Sequence, residues 1–149
     1  IANRWNAQLG IDVRYPDDLA AFLHRCHRAG QTRPTPLILR YGENDYNCLH
    51  QDLYGEHVFP LQVAILLSEP DIDFVGGEFV MTERSTKGQR VDVVALRKGD
   101  AVVFAVDQRP ASVSTPSRRG PRKFAMRHGV SRIRSGQRYA VGLIFHDAK

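Results

Sequence analysis

Cysteine, tryptophan and long apolar runs are all scarce: the 149 residues hold two Cys and one Trp, and apolar stretches reach no further than segments such as LQVAILL at 61–67. Two thiols, Cys26 in a helix-like segment and Cys48 in a strand-like one, make neither a disulfide framework nor a four-thiolate metal site, and they suit a reducing cytoplasm. The apolar runs fall far short of the roughly 20 residues that cross a bilayer, so no membrane partner is expected. The opening IANRWNAQLG carries neither an apolar signal-peptide core nor a basic leader, and a start at Ile1 rather than Met reads as a trimmed chain. No Walker-type or dinucleotide glycine fingerprint occurs, and no Ser/His/Asp or Cys/His arrangement has a recognisable context. Acidic residues are missing altogether between Asp107 and Asp147.

That last gap coincides with Arg118, Arg119, Arg122, Lys123, Arg127, Arg132, Arg134 and Arg138, within a chain of formal charge +5. A block of this kind, over 109–134, favours a polyanionic partner such as nucleic acid; a merely solvated basic face is the alternative. The length and 42% hydrophobic content suit one domain over 1–149, with 1–36 as helical support and 37–149 as its core. Leu19, Phe22, Leu23 and Cys26 recur at helical spacing after Asp17-Asp18 and before Gly30, which predicts one amphipathic helix. From Leu37 the period changes. LILRY, NCLHQDL, FPLQVAILL, GGEFVMT, VDVVAL, AVVFAV, KFAMRH and RYAVGLIFH are short, rich in β-branched or aromatic residues and broken by Gly, Pro, Asp or Ser. The fold class is therefore mainly β, a sandwich or jelly roll, with a long surface loop expected at 109–123.

His50-Gln51-Asp52 sits in a strand-like context, where residues two apart share a face, so an imidazole and a carboxylate can converge on one ion. A third ligand can come from His128 at the end of KFAMRH, with His146 as the substitute. Two His and one carboxylate leave the other positions of an octahedral ion open, the arrangement of non-haem iron(II) oxygenases. Arg138 follows His128 by ten positions, inside an apolar strand where its charge must meet a carboxylate: that of a 2-oxo acid, or an Asp or Glu of the chain. Gln62, a polar residue inside FPLQVAILL, either faces a co-substrate or points outward. Glu78 reads as exposed or cross-strand paired, Cys48 as core, His24 and His27 as helix surface, and His57 as loop surface. The Gly76-Gly77 pair reads as a tight backbone approach rather than a phosphate site.

RYGENDYNCLHQD, DIDFVGGEF, KGDAVVF and RHGVSRIRSGQRYAVGLIFHD, in that order, resemble the prolyl-hydroxylase-like branch of the 2-oxoglutarate/iron(II) dioxygenases, from about Tyr41 to Asp147. The wording around YGENDYNCLHQDLYGEHVFPLQ is further similar to a bacterial subgroup proposed to modify nucleic acids. The resemblance implies a double-stranded β-helix with His50, Asp52 and His128 as iron ligands and Arg138 as the 2-oxoglutarate anchor. It also implies a hydrogen bond to the co-substrate from Tyr41, for which core packing is the competing reading. The implied reaction is hydroxylation, or oxidative demethylation, of a macromolecule. Fe(II), 2-oxoglutarate and O2 take part, ascorbate stimulates, and succinate and CO2 leave. A peptidyl hydroxylase, a non-catalytic nucleic-acid-binding jelly roll and a cupin-like metalloenzyme without a 2-oxo acid are the rivals; the last leaves Arg138 without a role.

Overall fold

The short β-branched and aromatic runs from Leu37 onward resolve into short antiparallel strands, seen in a computed structural model that describes residues 1–111 and 123–149. Four of them, β1 (Leu37–Tyr41), β3 (Leu61–Leu66), β7 (Ala101–Ala105) and β11 (Arg138–Ile144), form one sheet in the order β1-β11-β3-β7. A second sheet contains β2 (Asn47–His50), β5 (Phe79–Ser85), β6 (Gly88–Val94) and β9 (Lys123–Val130) in the order β2-β9-β5-β6, with β8 (Gln108–Pro110) pairing β9 off that path. Two short strands, β4 (Phe74–Gly76) and β10 (Ile133–Gly136), pair with each other. The chain thus steps back and forth between two facing sheets, as a jelly roll does.

All eight expected strand segments contain a strand, although β2 stops at His50 and leaves Gln51 and Asp52 beyond its end. The unexpected strands β4, β8 and β10 have three or four residues, too few to display a period of two. Of the loop expected at 109–123, positions 112–122 lie outside the described residues, and 109–110 and 123 belong to β8 and β9.

Between the sheets Tyr41, Leu66, Phe74, Phe79, Phe104, Val130 and Ile133 form the apolar core. Phe79 and Phe104 meet with ring centroids 5.2 Å apart. Truncating either buried ring to Ala should cost about 3–5 kcal/mol through lost burial and the cavity left behind.

The N-terminal segment holds two helices, one more than the apolar spacing located. The expected helix is α2 (Leu19–Arg28), capped by Asp18, whose carboxylate accepts the Ala21 N–H at 2.8 Å. Phe22 and Cys26 are buried, but Leu19 in the first turn, expected on the same stripe, is 50% exposed. The unforeseen helix, α1 (Ala2–Leu9), has eight residues, of which Ala2 and Asn6 are buried; Ala2, Trp5 and Leu9 share a face, but two turns are too short for the period to stand out. Buried Asn6 donates to Val13 O at 2.8 Å, which folds the following segment back along the helix. Both helices dock on the strand ends: Tyr15 and Phe22 pack on Phe59, and α1 packs on β8. Fully buried Gln31 donates to Asp147 O at 2.6 Å and accepts from His57 N at 2.7 Å, tying residues 1–36 to the far end of the chain.

Candidate metal centre and co-substrate cavity

Strands β2 and β9 bring two distant histidines into register, His50 opposite His128, but the pairing reaches that point through an irregularity: Asn47 faces Val130, so three residues on β2 span two on β9. The bulge breaks the simple alternation of the strand. Asn47 and His50 consequently line the same cavity, while Cys48 is turned outward and exposed, a correction to its expected place in the core. Gly129 permits the approach, since a Cβ there would lie 2.6 Å from Asn47 O.

Asp52 lies just beyond β2 and is 4% exposed. One ligand atom each from His50, Asp52 and His128 lies within 4.8 Å of the others. The Nε2 atoms of His50 and His128 both stand 3.4 Å from the Asp52 carboxylate, one at each oxygen. Tyr54 donates its hydroxyl to Oδ1 at 2.6 Å and Gln62 its amide to Oδ2 at 2.8 Å. Burial alone would push the Asp52 carboxyl up; the hydrogen bonds from His128, His50, Tyr54 and Gln62 outweigh it and hold the group well below the usual carboxylate range. The same carboxylate raises His50. Burial, reinforced by the bond to Asp52, pushes Tyr54 up to about 12, so its hydroxyl keeps its proton.

The cavity as a whole has a volume of roughly 130 Å³ and is lined also by Tyr41, Phe79, Phe104, Val130 and Arg138 among others. Arg138, the first residue of β11 and opposite Tyr41 on β1, is 3% exposed. Its guanidinium carbon stands 5.4 Å from the Tyr41 ring centroid and 5.9 Å from that of Phe74. The internal salt bridge that competed with an anchor is not there: among the described residues no acid pairs with Arg138, burial lowers its pKa, and its Nε lacks any hydrogen-bond partner. Gly77, at φ 63°, leaves room for this side chain, because a Cβ there would strike Ile133 and come within 2.9 Å of Arg138 Cδ. The glycine pair is thus a close backbone approach, as expected.

All six sequence-predicted site residues, His50, Asp52, His128, Arg138, Tyr41 and Gln62, face one cavity. Gln62 points inward: its amide N–H donates to Asp52, and its Oε1 is buried without a hydrogen-bond partner. His146 stays outside the cluster: it is fully buried, accepts from Phe59 N at 3.3 Å, and is lowered in pKa by burial. His27, read as helix surface, is exposed and also meets Asp147 at 2.7 Å. Glu78, between β4 and β5, accepts from Ser131 in the β9–β10 connection and lies 3.5 Å from Arg134. Tyr54 and Asn47 escaped the sequence reading; the one available signal was a Tyr two places after the metal-type carboxylate.

The described residues of the basic block stand in different surroundings. Arg109 is committed to Glu83 and stacks on Phe124 at 4.6 Å, Arg138 is in the cavity, and Lys123, Arg127, Arg132 and Arg134 face outward; Arg118, Arg119 and Arg122 lie outside the described residues. Among those described, no helix is long and apolar enough to cross a membrane.

One buried and one half-buried imidazole, a buried carboxylate and a guanidinium with no acidic partner among the described residues thus surround one hollow. The fold matches a crystal structure described as an oxidoreductase of the 2OG-Fe(II) oxygenase family from Burkholderia pseudomallei, with a TM-score of 0.51 and 21% identity over 78% of this chain and 48% of that one. Curated proteins from two strains of Mycobacterium tuberculosis, both described as uncharacterized, are 52% identical over 99% of this chain. The chain spans 62% of the length of those relatives. Residues 1–148 match a family described as "Oxygenase, catalysing oxidative methylation of damaged DNA", and to this nucleic-acid oxygenase family, Oxygenase-NA, the chain belongs.

Proposed function

We propose that this chain is an Fe(II)- and 2-oxoglutarate-dependent oxygenase that hydroxylates a C–H bond on a damaged base of DNA. The observation that carries this reading is the sharing of one cavity by the His50–Asp52–His128 donor set and by a buried Arg138 with no acidic partner among the described residues. The donors fit ferrous iron, since imidazole nitrogen and carboxylate oxygen suit it and three protein ligands leave positions for exchangeable ones. Bound iron supplies the redox chemistry that couples O2 to decarboxylation of the 2-oxo acid and to oxidation of a C–H bond.

The chain's own residues do the positioning. Arg138 offers paired donors to the far carboxylate of 2-oxoglutarate, and that anion neutralises the charge buried there. The Tyr41 hydroxyl, held protonated by burial, is a donor beside it. Gln62 and Tyr54 orient the Asp52 carboxylate. Phe79, Phe104 and Val130 keep water from the reacting atoms.

In the overall balance one oxygen atom enters the substrate as C–OH and the other enters succinate, while CO2 leaves. The reaction consumes no methyl donor, so on a methylated base we infer removal of the methyl group, as formaldehyde from an N-hydroxymethyl product, rather than its addition. Residues 1–149 act in this proposal as one catalytic domain, 1–36 supporting 37–149, in the cytoplasm, with ascorbate as a stimulating reductant. The longer relatives make the activity of the whole protein part of the same proposal.

The test is anaerobic loading with Fe(II) and 2-oxoglutarate, then O2, with succinate measured against methylated oligonucleotides and methylated or proline-rich peptides. Succinate that depends on the oligonucleotide is the expected result. No succinate above a metal-free control in any panel overturns the oxygenase reading. Release with peptides alone assigns the peptidyl-hydroxylase alternative, and oligonucleotide binding without succinate assigns a non-catalytic module.

A further inference from the structure

A second hollow of roughly 310 Å³ lies beside the metal-type cluster, lined by Trp5 of α1, Met81 and Glu83 of β5, Phe104 of β7, Arg109 of β8 and Met126 of β9, with neighbouring apolar residues. Its position follows from strand register. On β9 the inward side chains are Phe124, Met126, His128 and Val130; they face Arg109, Glu83, Met81 and Phe79 respectively. Val130 and Phe79 lie on the Arg138 side, since Phe79 and Arg138 line a common surface. His128 with Met81 is the next pair, and Met126 with Glu83 stands one pair further out, about 7 Å along the strand at two residues of rise. The hollow therefore adjoins the donor set on the side away from Arg138, and Phe104 belongs to the walls of both cavities.

The lining is specific. An indole, a phenyl ring and two thioethers make flat, adaptable apolar walls. One end is polar: Glu83 is 8% exposed, takes Arg109 on one carboxylate oxygen and Arg90 on the other, and retains spare acceptor lone pairs. A volume near the lower end of the roughly 300–1,000 Å³ typical of small-molecule sites suits a single planar ring system. An enzyme acting on a base within a strand must turn that base out into such a slot, with an aromatic face to stack on and polar groups along one edge. The basic sequence between Asp107 and Asp147 favours a polyanionic strand over a peptide as the carrier of the ring.

We propose that this hollow receives the ring of a nucleobase turned out of a DNA strand, stacked on Trp5, with its reactive substituent towards His50, Asp52 and His128. The inference rests on the DNA-oxygenase reading and deepens it by naming the substrate subsite. Phosphate contacts lie elsewhere, because Arg109 is already neutralised by Glu83.

Trp5 is the only tryptophan, so its emission reports on this hollow alone. The anaerobic, Fe(II)- and 2-oxoglutarate-loaded chain is titrated with two labelled single-stranded oligonucleotides of equal length. One carries an N-methyladenine and the other an abasic site at the same position; Trp5 emission and label anisotropy are read together. The methylated strand should quench Trp5 saturably, whereas the abasic strand should bind more weakly and leave the emission unchanged. Trp5→Ala should weaken binding of the methylated strand by about tenfold, the usual scale of one lost base–aromatic stack, and Trp5→Phe should restore most of it. The quenching experiment needs no variant, so a poorly folding Trp5→Ala does not remove the test.

Equal quenching by the abasic strand overturns the proposal. So does oligonucleotide-dependent succinate release with no quenching and with unchanged affinity in Trp5→Ala, and that outcome leaves the DNA-oxygenase reading standing. Quenching and turnover with a peptide, without oligonucleotide binding, overturns both.

Discussion

Replacing Arg138 by Met should make the ligand-free protein more stable while destroying its response to 2-oxoglutarate. Arg138 is 3% exposed, its Nε has no hydrogen-bond partner, and no acid among the described residues compensates it. Methionine is unbranched and apolar, and it removes the charge while filling most of the stem volume. Swapping buried charged groups for apolar ones of similar volume commonly gains about 1–4 kcal/mol. For a chain of this size each kcal/mol corresponds to roughly 2–4 °C in Tm, so a rise of about 2–16 °C is expected. In the parent protein, a 2-oxo acid at a hundredfold excess over its Kd should add about 2.7 kcal/mol. The variant should show no such shift. The assay is differential scanning calorimetry of both proteins, metal-loaded and metal-free, with and without 2-oxoglutarate. A ligand-free variant that melts below the parent would mean that the guanidinium is satisfied within the chain, and the anchor argument would fail.

Tyr54→Phe removes the 2.6 Å donor to Asp52 and should weaken metal binding by roughly 10–100-fold, nearer the lower figure because Tyr54 is 40% exposed; Co(II) absorption titrations measure it. Gly77→Ala puts a Cβ against Ile133 and Arg138 at φ 63°; a loss of about 1–3 kcal/mol from backbone strain is expected in urea unfolding, together with weaker 2-oxoglutarate affinity in calorimetric titration. His146 is buried and its pKa is lowered, so the folded state resists protonation where the unfolded chain, near pH 6.5, accepts it. Its contribution to stability is therefore intact above about pH 6.5 and declines as pH falls through that value towards the lower folded pKa. His50 has the opposite sign, raised by Asp52, and in metal-free protein its contribution is present at low pH and lost as pH rises through its folded pKa. His146→Phe should accordingly flatten the acid side of a stability-versus-pH curve recorded without metal, and a curve unchanged between pH 5 and 6.5 would refute the assignment.

Local pattern determined a good part of this protein. The short runs LILRY, FPLQVAILL and RYAVGLIFH, rich in β-branched and aromatic residues and bounded by breakers, name β1, β3 and β11 because such side chains pack well on a pleated sheet, and Asp18 before LAAFLHRC marks α2 because an N-cap needs a short acceptor side chain. The chemistry of single residues was legible in the same way: an imidazole two places from a carboxylate, and an arginine in an apolar strand that had to meet an anion. The partners of those residues were not legible. His50 meets His128 only because a bulge between Asn47 and His50 shifts the register of β2 on β9, and that same irregularity puts Cys48 in solvent. Gln62 reaches Asp52 from another sheet, and Trp5 shares a hollow with Arg109 and Met126 from a helix of only eight residues. Such contacts join positions far apart in the chain, and they are selected by the packing of whole sheets against each other. Short-range propensity carries no record of that choice, so only the tertiary structure decided which side chains share a cavity.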